Sequence, residues 1–147
     1  MTLLLLGGTG EARQIATHLR EHDAVISLAG ATRQPDAQPL PTRIGGFGGA
    51  QGFRDYLHDA CIDAVLDATH PFAHRITTRT AEICQALRIP YIQFLRPPWE
   101  PESEDHWIKI STEEEAAQHI PQQAVVFLGT GRQTLARFAN LEGRKVY

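Results

Sequence analysis

Five residues, Thr2-Leu3-Leu4-Leu5-Leu6, run without interruption into Gly7-Gly8-Thr9-Gly10-Glu11-Ala12-Arg13. A short unbroken apolar run suits a strand buried on both faces, as in a parallel sheet. The glycines then allow a tight turn into a helix, because they accept positive φ and leave the backbone open to close approach. Such a turn aims backbone N–H groups and the positive end of a helix dipole at one point, which suits a phosphate. It is not the full G-x-G-x-x-G pattern, since Arg13 stands where the third glycine would be. A tight strand-to-helix turn without a ligand is the competing reading, and Glu11 favours a phosphate only if it points away or caps the helix amides.

The rest of the chain alternates in the same way. Strands are expected at Thr2–Leu6, Ala24–Leu28, Ile62–Ala68, Tyr91–Leu95, Trp107–Ile110 and Ala124–Leu128. Helical patterns fall at Glu11–Glu21, Gly52–Ala60, Phe72–Arg88, Thr112–Ile120 and Arg132–Asn140, with Ser111 and Glu114 spaced as a capping box. The fold class this predicts is α/β, a Rossmann-like parallel sheet with helices on both faces. Ligands of such sheets bind at the carboxyl ends of the strands. Gln34–Pro41, with three prolines in eight residues, reads as an extended loop, and Pro97–Pro101 as a lid or linker.

Phe127-Leu128-Gly129-Thr130-Gly131-Arg132 echoes the opening turn. A second α/β domain is therefore expected to begin near Gln123, with Lys145-Val146-Tyr147 opening its next strand. Residues 1–122 would form a nucleotide-binding domain and 123–147 the start of an incomplete second one. A final βα unit added to the first sheet is the alternative.

Composition excludes several classes. Hydrophobic residues at 42% and charged residues at 21% are ordinary for a soluble globular chain of 147 residues. A net charge of −3 gives no support for nucleic-acid binding. No apolar stretch is long enough to cross a membrane, and the N-terminus lacks a signal-peptide pattern. Cys61 and Cys84 fit no metal or redox spacing, so two reduced core cysteines and a cytoplasmic location are expected.

Several loops carry candidate chemistry. After the second strand, Ser27-Leu28-Ala29-Gly30-Ala31-Thr32-Arg33 has no acid where an NAD-binding fold grips the ribose. Thr32 and Arg33 instead suit the 2′-phosphate of NADP; a solvated loop arginine is the plainer alternative. Gly45-Gly46-Phe47-Gly48-Gly49 places four glycines in five residues, a sign that backbone passes close to a cofactor unless the segment is a flexible connector. Asp67-Ala68-Thr69-His70-Pro71 follows the third strand, with Thr69 as a helix cap, Pro71 in the first turn, and Asp67 and His70 facing the crevice. His70 is either a proton donor or a turn-bonding residue. His70 and His74 have the spacing of a zinc pair but no third ligand nearby, so no metal site is assigned. Arg96-Pro97-Pro98-Trp99 offers a guanidinium for a carboxylate and an indole for a flat ligand, or else a stiff linker with a buried Trp.

Together these motifs resemble the precorrin-6A reductases, including the cobalt-precorrin-6A reductases of cobalamin biosynthesis. The resemblance is carried by LLGGTGEAR at 5–13, SLAG at 27–30, RIGGFGG at 43–49, IDAVLDATHPFA at 62–73, RPPW at 96–99 and VFLGTGRQ at 126–133. It implies NADPH-dependent reduction of a ring double bond in a tetrapyrrole, giving precorrin-6B or its cobalt form. By position, Gly8, Thr9, Gly10, Glu11, Ala12, Arg13, Ala29, Gly30, Arg33, Gly46, Phe47, Gly48, Gly49 and Thr69 would bind the cofactor. Asp67 and His70 would be catalytic, and Arg43, Arg96 and Arg132 would meet substrate carboxylates. The sequence departs from the family pattern at Arg79, where a smaller polar residue is expected. Family members also carry a complete second α/β domain, with substrate held between the halves, whereas this chain ends just inside it. The competing class is therefore an NADP(H)-binding module without catalysis. A short-chain-type reductase is a weaker competitor, because no Tyr-x-x-x-Lys pair is present.

Overall fold

The computed structural model describes residues 1–30, 37–130 and 134–147. The chain divides into two units, Met1–Pro97 and Pro98–Tyr147. The first unit runs β1 (Thr2–Leu6), α1 (Gly10–His18), β2 (Ala24–Leu28), β3 (Thr42–Ile44), α2 (Gly49–Asp59), β4 (Ile62–Asp67), α3 (His74–Leu87) and β5 (Tyr91–Gln93). Its strands form one sheet in the order β3-β2-β1-β4-β5, and every pairing is parallel. This is the expected Rossmann-like arrangement.

The leucines of β1 explain the layering. Leu4, Leu5 and Leu6 are each at most 1% exposed, and successive side chains of a strand point to opposite faces. Leu4 and Leu6 accordingly join Phe53, Leu57, Ile83 and Cys84 from α2 and α3. Leu5 joins Ala12 and Ala16 of α1, with Ile26 and Leu28 of β2. One strand thus supplies both cores, each buried leucine contributing about 1.5–3 kcal/mol. Small residues on α1 let that helix lie close to the sheet, and Thr9 caps it, its Oγ1 accepting from the Ala12 N–H at 3.0 Å.

A further glycine sets the approach of α2. A Cβ at Gly52 would stand 1.8 Å from the Phe47 carbonyl oxygen. Only glycine lets the first turn of this helix lie against the backbone of the Gly-rich segment.

Strand β3 was not anticipated. It lies directly after the proline-rich stretch Gln34–Pro41, and it pairs with β2 through Ile26↔Thr42, Ser27↔Arg43 and Leu28↔Ile44. At three residues on a sheet edge, with Ile44 56% exposed, it carries no apolar alternation to betray it. The third helix begins at His74 rather than Phe72, so Pro71 precedes it. Its N-cap is Ala73 and not Thr69, whose hydroxyl is engaged elsewhere. Cys84 is buried, but Cys61 is exposed in a left-handed turn at φ 49° rather than in the core.

The second unit contains a 3-10 turn at Glu113–Glu115 leading into α4 (Ala116–His119), then β6 (Val125–Val126), a 3-10 turn at Leu135–Phe138 and β7 (Lys145–Val146). Strands β6 and β7 pair in parallel, so Lys145 does open a strand. The Arg144 guanidinium donates to the Ala117 carbonyl at 2.8 Å and to that of Ile120, covering the open end of α4. Three expectations fail here. Trp107–Ile110 forms no strand and is exposed, since nothing apolar covers it within this unit. The N–H of Ser111 is met by Glu115 and not by Glu114. The Arg132–Asn140 helix is reduced to the turn at Leu135–Phe138, with Gly131 and Arg132 outside the described residues. Among the described residues no helix is long and apolar enough to cross a membrane.

Candidate functional site

The carboxyl ends of the first unit's strands lie on one rim, held in register by short backbone bonds. Gly7 N–H donates to Ser27 O at 2.9 Å, Ala68 N–H to Leu6 O at 2.9 Å and Gly45 N–H to Leu28 O at 2.8 Å. The order β3-β2-β1-β4-β5 reverses direction between β1 and β4, and the turns that leave these two strands go to α1 and α3 on opposite faces. A crevice opens there by topology. It holds a cavity of about 600 Å³, walled by Leu6–Gly10 and Arg13, by Ser27–Gly30 and Gln38, by Gly45–Phe47, and by Thr69, His70, Ala73, Ile76 and Arg79.

The Gly-rich turn forms the floor. Gly8 sits at φ +119°, and a Cβ there would meet nothing within 4 Å. Backbone conformation, not crowding, therefore selects glycine and leaves the turn bare toward the cavity. The Thr9 hydroxyl donates to Ala68 O at 2.8 Å and so ties this turn to the end of β4.

Below the rim, Asp67 is 1% exposed and accepts three hydrogen bonds: from Thr69 N–H at 3.0 Å, the Thr69 hydroxyl at 2.7 Å and the Tyr91 phenol at 3.0 Å. Burial and the Asp67 charge together push the Tyr91 phenol well above its ordinary range. The carboxylate thus fixes the turn that carries His70. In that turn the His70 Nδ1 accepts from Phe72 N–H at 3.2 Å. An accepting Nδ1 places the neutral ring's proton on Nε2, so the turn-bonding role and a free donor coexist in one ring. Among the described residues no three His, Cys, Asp or Glu side chains converge as a metal site.

Of the residues named from sequence, the cavity gathers Gly8, Thr9, Gly10, Arg13, Ala29, Gly30, Gly46, Phe47, Thr69 and His70. Glu11, Ala12, Gly48, Gly49, Asp67, Arg43 and Arg96 do not line it. Ala12 is fully buried under α1 because it packs the helix on the sheet. Gly48, at φ 75°, is the N-cap of α2, and Gly49 opens that helix. Asp67 lies beneath the wall. Arg43 braces the Gly-rich segment: it donates to the carbonyls of Gly45 and Gly46 and to the Ser27 hydroxyl, and stacks 3.9 Å above the Phe47 ring. These bonds through Nη1 and Nη2 hold it against its own chain, outside the cavity lining. Trp99 is 74% exposed rather than buried. Arg33 and Arg132 lie outside the described residues.

Sequence reasoning did not place Ser27, Leu28, Gln38, Ala73, Ile76 or Arg79 at the site. The first two close β2 and were readable from the strand-end rule. Gln38 lies in the proline-rich loop, and the α3 residues carry no local signature.

The comparisons with known proteins converge. The family model described as Precorrin-6x reductase CbiJ/CobK matches residues 2–147. A precorrin-6A reductase of Mycobacterium tuberculosis (strain CDC 1551 / Oshkosh) is 47% identical over 141 residues, covering 94% of this chain and 57% of that protein. One from Rhodococcus erythropolis is 41% identical over 144 residues, covering 95% and 58%. A solved structure titled CobK precorrin-6A reductase superposes with a TM-score of 0.91 at 40% identity, covering 99% of this chain and 59% of that one. The chain therefore spans a little over half the length of these relatives. The parallel sheet, the rim of turns and the matched sequence all agree that this chain belongs to the precorrin-6x reductase CbiJ/CobK family.

Proposed function

We propose that this chain is the cofactor-binding part of a reductase that uses NADPH to reduce precorrin-6A in corrin ring biosynthesis. The observation that carries the reading is the cavity wall. Among the described residues it contains two arginines and a histidine but no Asp or Glu, in a chain with 17 acidic and 14 basic residues. An acid-free, glycine-floored crevice at the switch point of a parallel sheet is suited to a phosphate-bearing ligand.

The fit of the dinucleotide rests on this chain's own groups. The amides that open α1, at Gly8, Thr9 and Gly10, would bind the pyrophosphate. Ala29, Gly30 and the Gly45–Phe47 backbone would lie along the adenosine end. Arg33 supports a preference for NADPH on its residue type alone. When bound, the cofactor supplies a hydride to the tetrapyrrole. His70 is the group assigned to hold a proton at Nε2, and Thr69 to line the nicotinamide end. Asp67 acts through Thr69 and is a positioning residue.

Relatives named precorrin-6A reductase are 41–47% identical to this chain, against 27–33% for those named cobalt-precorrin-6A reductase. That contrast supports precorrin-6A over its cobalt form as substrate. We also read residues 123–147 as the opening of a second α/β domain, on the parallel pairing of β6 with β7. The alternative class is an NADP(H)-binding module that does not turn over alone. Mixing the chain with NADPH and precorrin-6A separates the two. Loss of NADPH absorbance is expected for the reductase. NADPH binding without turnover leaves the module, and no NADPH binding refutes both.

A further inference from the structure

Arg79 lines the cavity from α3, on the side of β4, together with Thr69, His70, Ala73 and Ile76. Its Nε is closed off from water and meets no acceptor among the described residues. Nor does it take part in the ion pairs found there. A guanidinium stays charged at any pH a protein tolerates, and on this half-buried side chain the terminal nitrogens, rather than the enclosed Nε, are the donors open to an anion in the cavity. Among the described residues the wall offers no carboxylate to pair with it, and Asp67 beneath it already accepts from Thr69 and Tyr91. An anion brought in by the ligand would pair with that open end of the side chain.

We propose that Arg79 is an anion-binding residue whose guanidinium meets the pyrophosphate of the dinucleotide from the α3 side. The inference rests on the dinucleotide reading above. Its placement follows from the topology. The turns after β1 and β4 flank the switch point, where the middle of a dinucleotide lies. The amides of Gly8–Gly10 approach that point from β1, and Arg79 lines the same cavity from beyond β4. Of the groups in such a ligand, the pyrophosphate carries charge there and offers paired oxygens to a planar fork of donors.

Arg79→Gln and Arg79→Lys test this, each first checked for an unchanged circular dichroism spectrum. NADPH binding is read by its fluorescence, and the Arg79 Nε–H resonance is followed while inorganic pyrophosphate is added to the unsubstituted chain. Arg79→Gln is expected to weaken NADPH about tenfold or more, and Arg79→Lys by less, because lysine keeps charge but loses the fork. The Nε–H resonance is expected to shift on adding pyrophosphate. Equal NADPH affinity in Arg79→Gln, with a static resonance, overturns the assignment. Unchanged NADPH affinity with a raised KM for the tetrapyrrole also overturns it, moving the contact to a substrate carboxylate. If the unsubstituted chain binds no NADPH, the dinucleotide reading fails by itself. The response to pyrophosphate then decides Arg79 separately, a shift supporting an anion site and no shift removing it.

Discussion

Replacing Gly52 by alanine sets helix propensity directly against packing. Position 52 lies inside α2, where alanine exceeds glycine in intrinsic propensity by about 1 kcal/mol. On that ground Gly52→Ala stabilises. The tertiary structure reverses the sign, since the added Cβ would stand 1.8 Å from the Phe47 carbonyl oxygen, with the Phe47 carbonyl carbon at 3.0 Å. Relief requires the oxygen to move by about 1 Å or more, and it is a backbone atom that no rotamer change can withdraw. Overpacking of this kind costs roughly 1–3 kcal/mol and more when backbone must shift. Against the propensity gain, a net loss of about 2 kcal/mol is expected. The displaced segment also carries Gly45–Phe47, so the cavity wall moves with it. Amide exchange at Leu4, Leu5 and Leu6, the buried centre of the sheet, reports the stability of the unit that contains Gly52. Exchange about thirtyfold faster corresponds to that loss, with NADPH affinity falling as well. Exchange as slow as in the unsubstituted chain, or slower, would refute the packing argument and leave propensity in command.

Four other outcomes are expected. Asp67→Asn keeps the shape but removes the charge from a buried acceptor of three hydrogen bonds, and is expected to cost about 2–3 kcal/mol; a change below 0.5 kcal/mol in urea unfolding would show that the charge is dispensable. Burial pushes the Cys84 thiol from 9.0 up to about 11. The folded chain therefore keeps a proton there that the unfolded chain releases. Stability from this group is complete below pH 9 and is lost as pH rises toward about 11. Alkylation at pH 8 should likewise modify exposed Cys61 within minutes and Cys84 only on unfolding, whereas equal rates would contradict the burial. Arg33→Ala is expected to weaken NADPH more than NADH, and equal losses would remove it from the 2′-phosphate site.

Position along the chain determined a good part of this protein. The run Thr2–Leu6 followed by Gly7–Gly10 marked β1, its turn and α1 with the strand bounds as observed, because an apolar run and a glycine turn are local properties of a few neighbouring residues. The ends of β1, β2 and β4 followed from the same logic, and with them most of the floor of the cavity. The family resemblance was carried by contiguous motifs for the same reason. Edge strand β3 was invisible because its stability comes from pairing with β2, not from its own three residues. The second unit was poorly legible as well, since short elements such as β6 and β7 depend on each other more than on their own propensity.

Only the tertiary structure sorted the polar residues by role. Asp67, Arg43 and Arg79 are charged residues whose neighbours in sequence give no sign of their roles. Folding buried Asp67 beneath Thr69 and engaged Arg43 with the carbonyls of Gly45 and Gly46. It left the Nε of Arg79 dry and unpaired beside the cavity. A side chain's chemistry is set by what reaches it in space, and hydrogen-bond partners brought together by a sheet's topology leave no mark on the residues beside them in the chain. The opening turn could thus suggest a phosphate site by itself, while the polar groups that surround that turn were chosen by the fold.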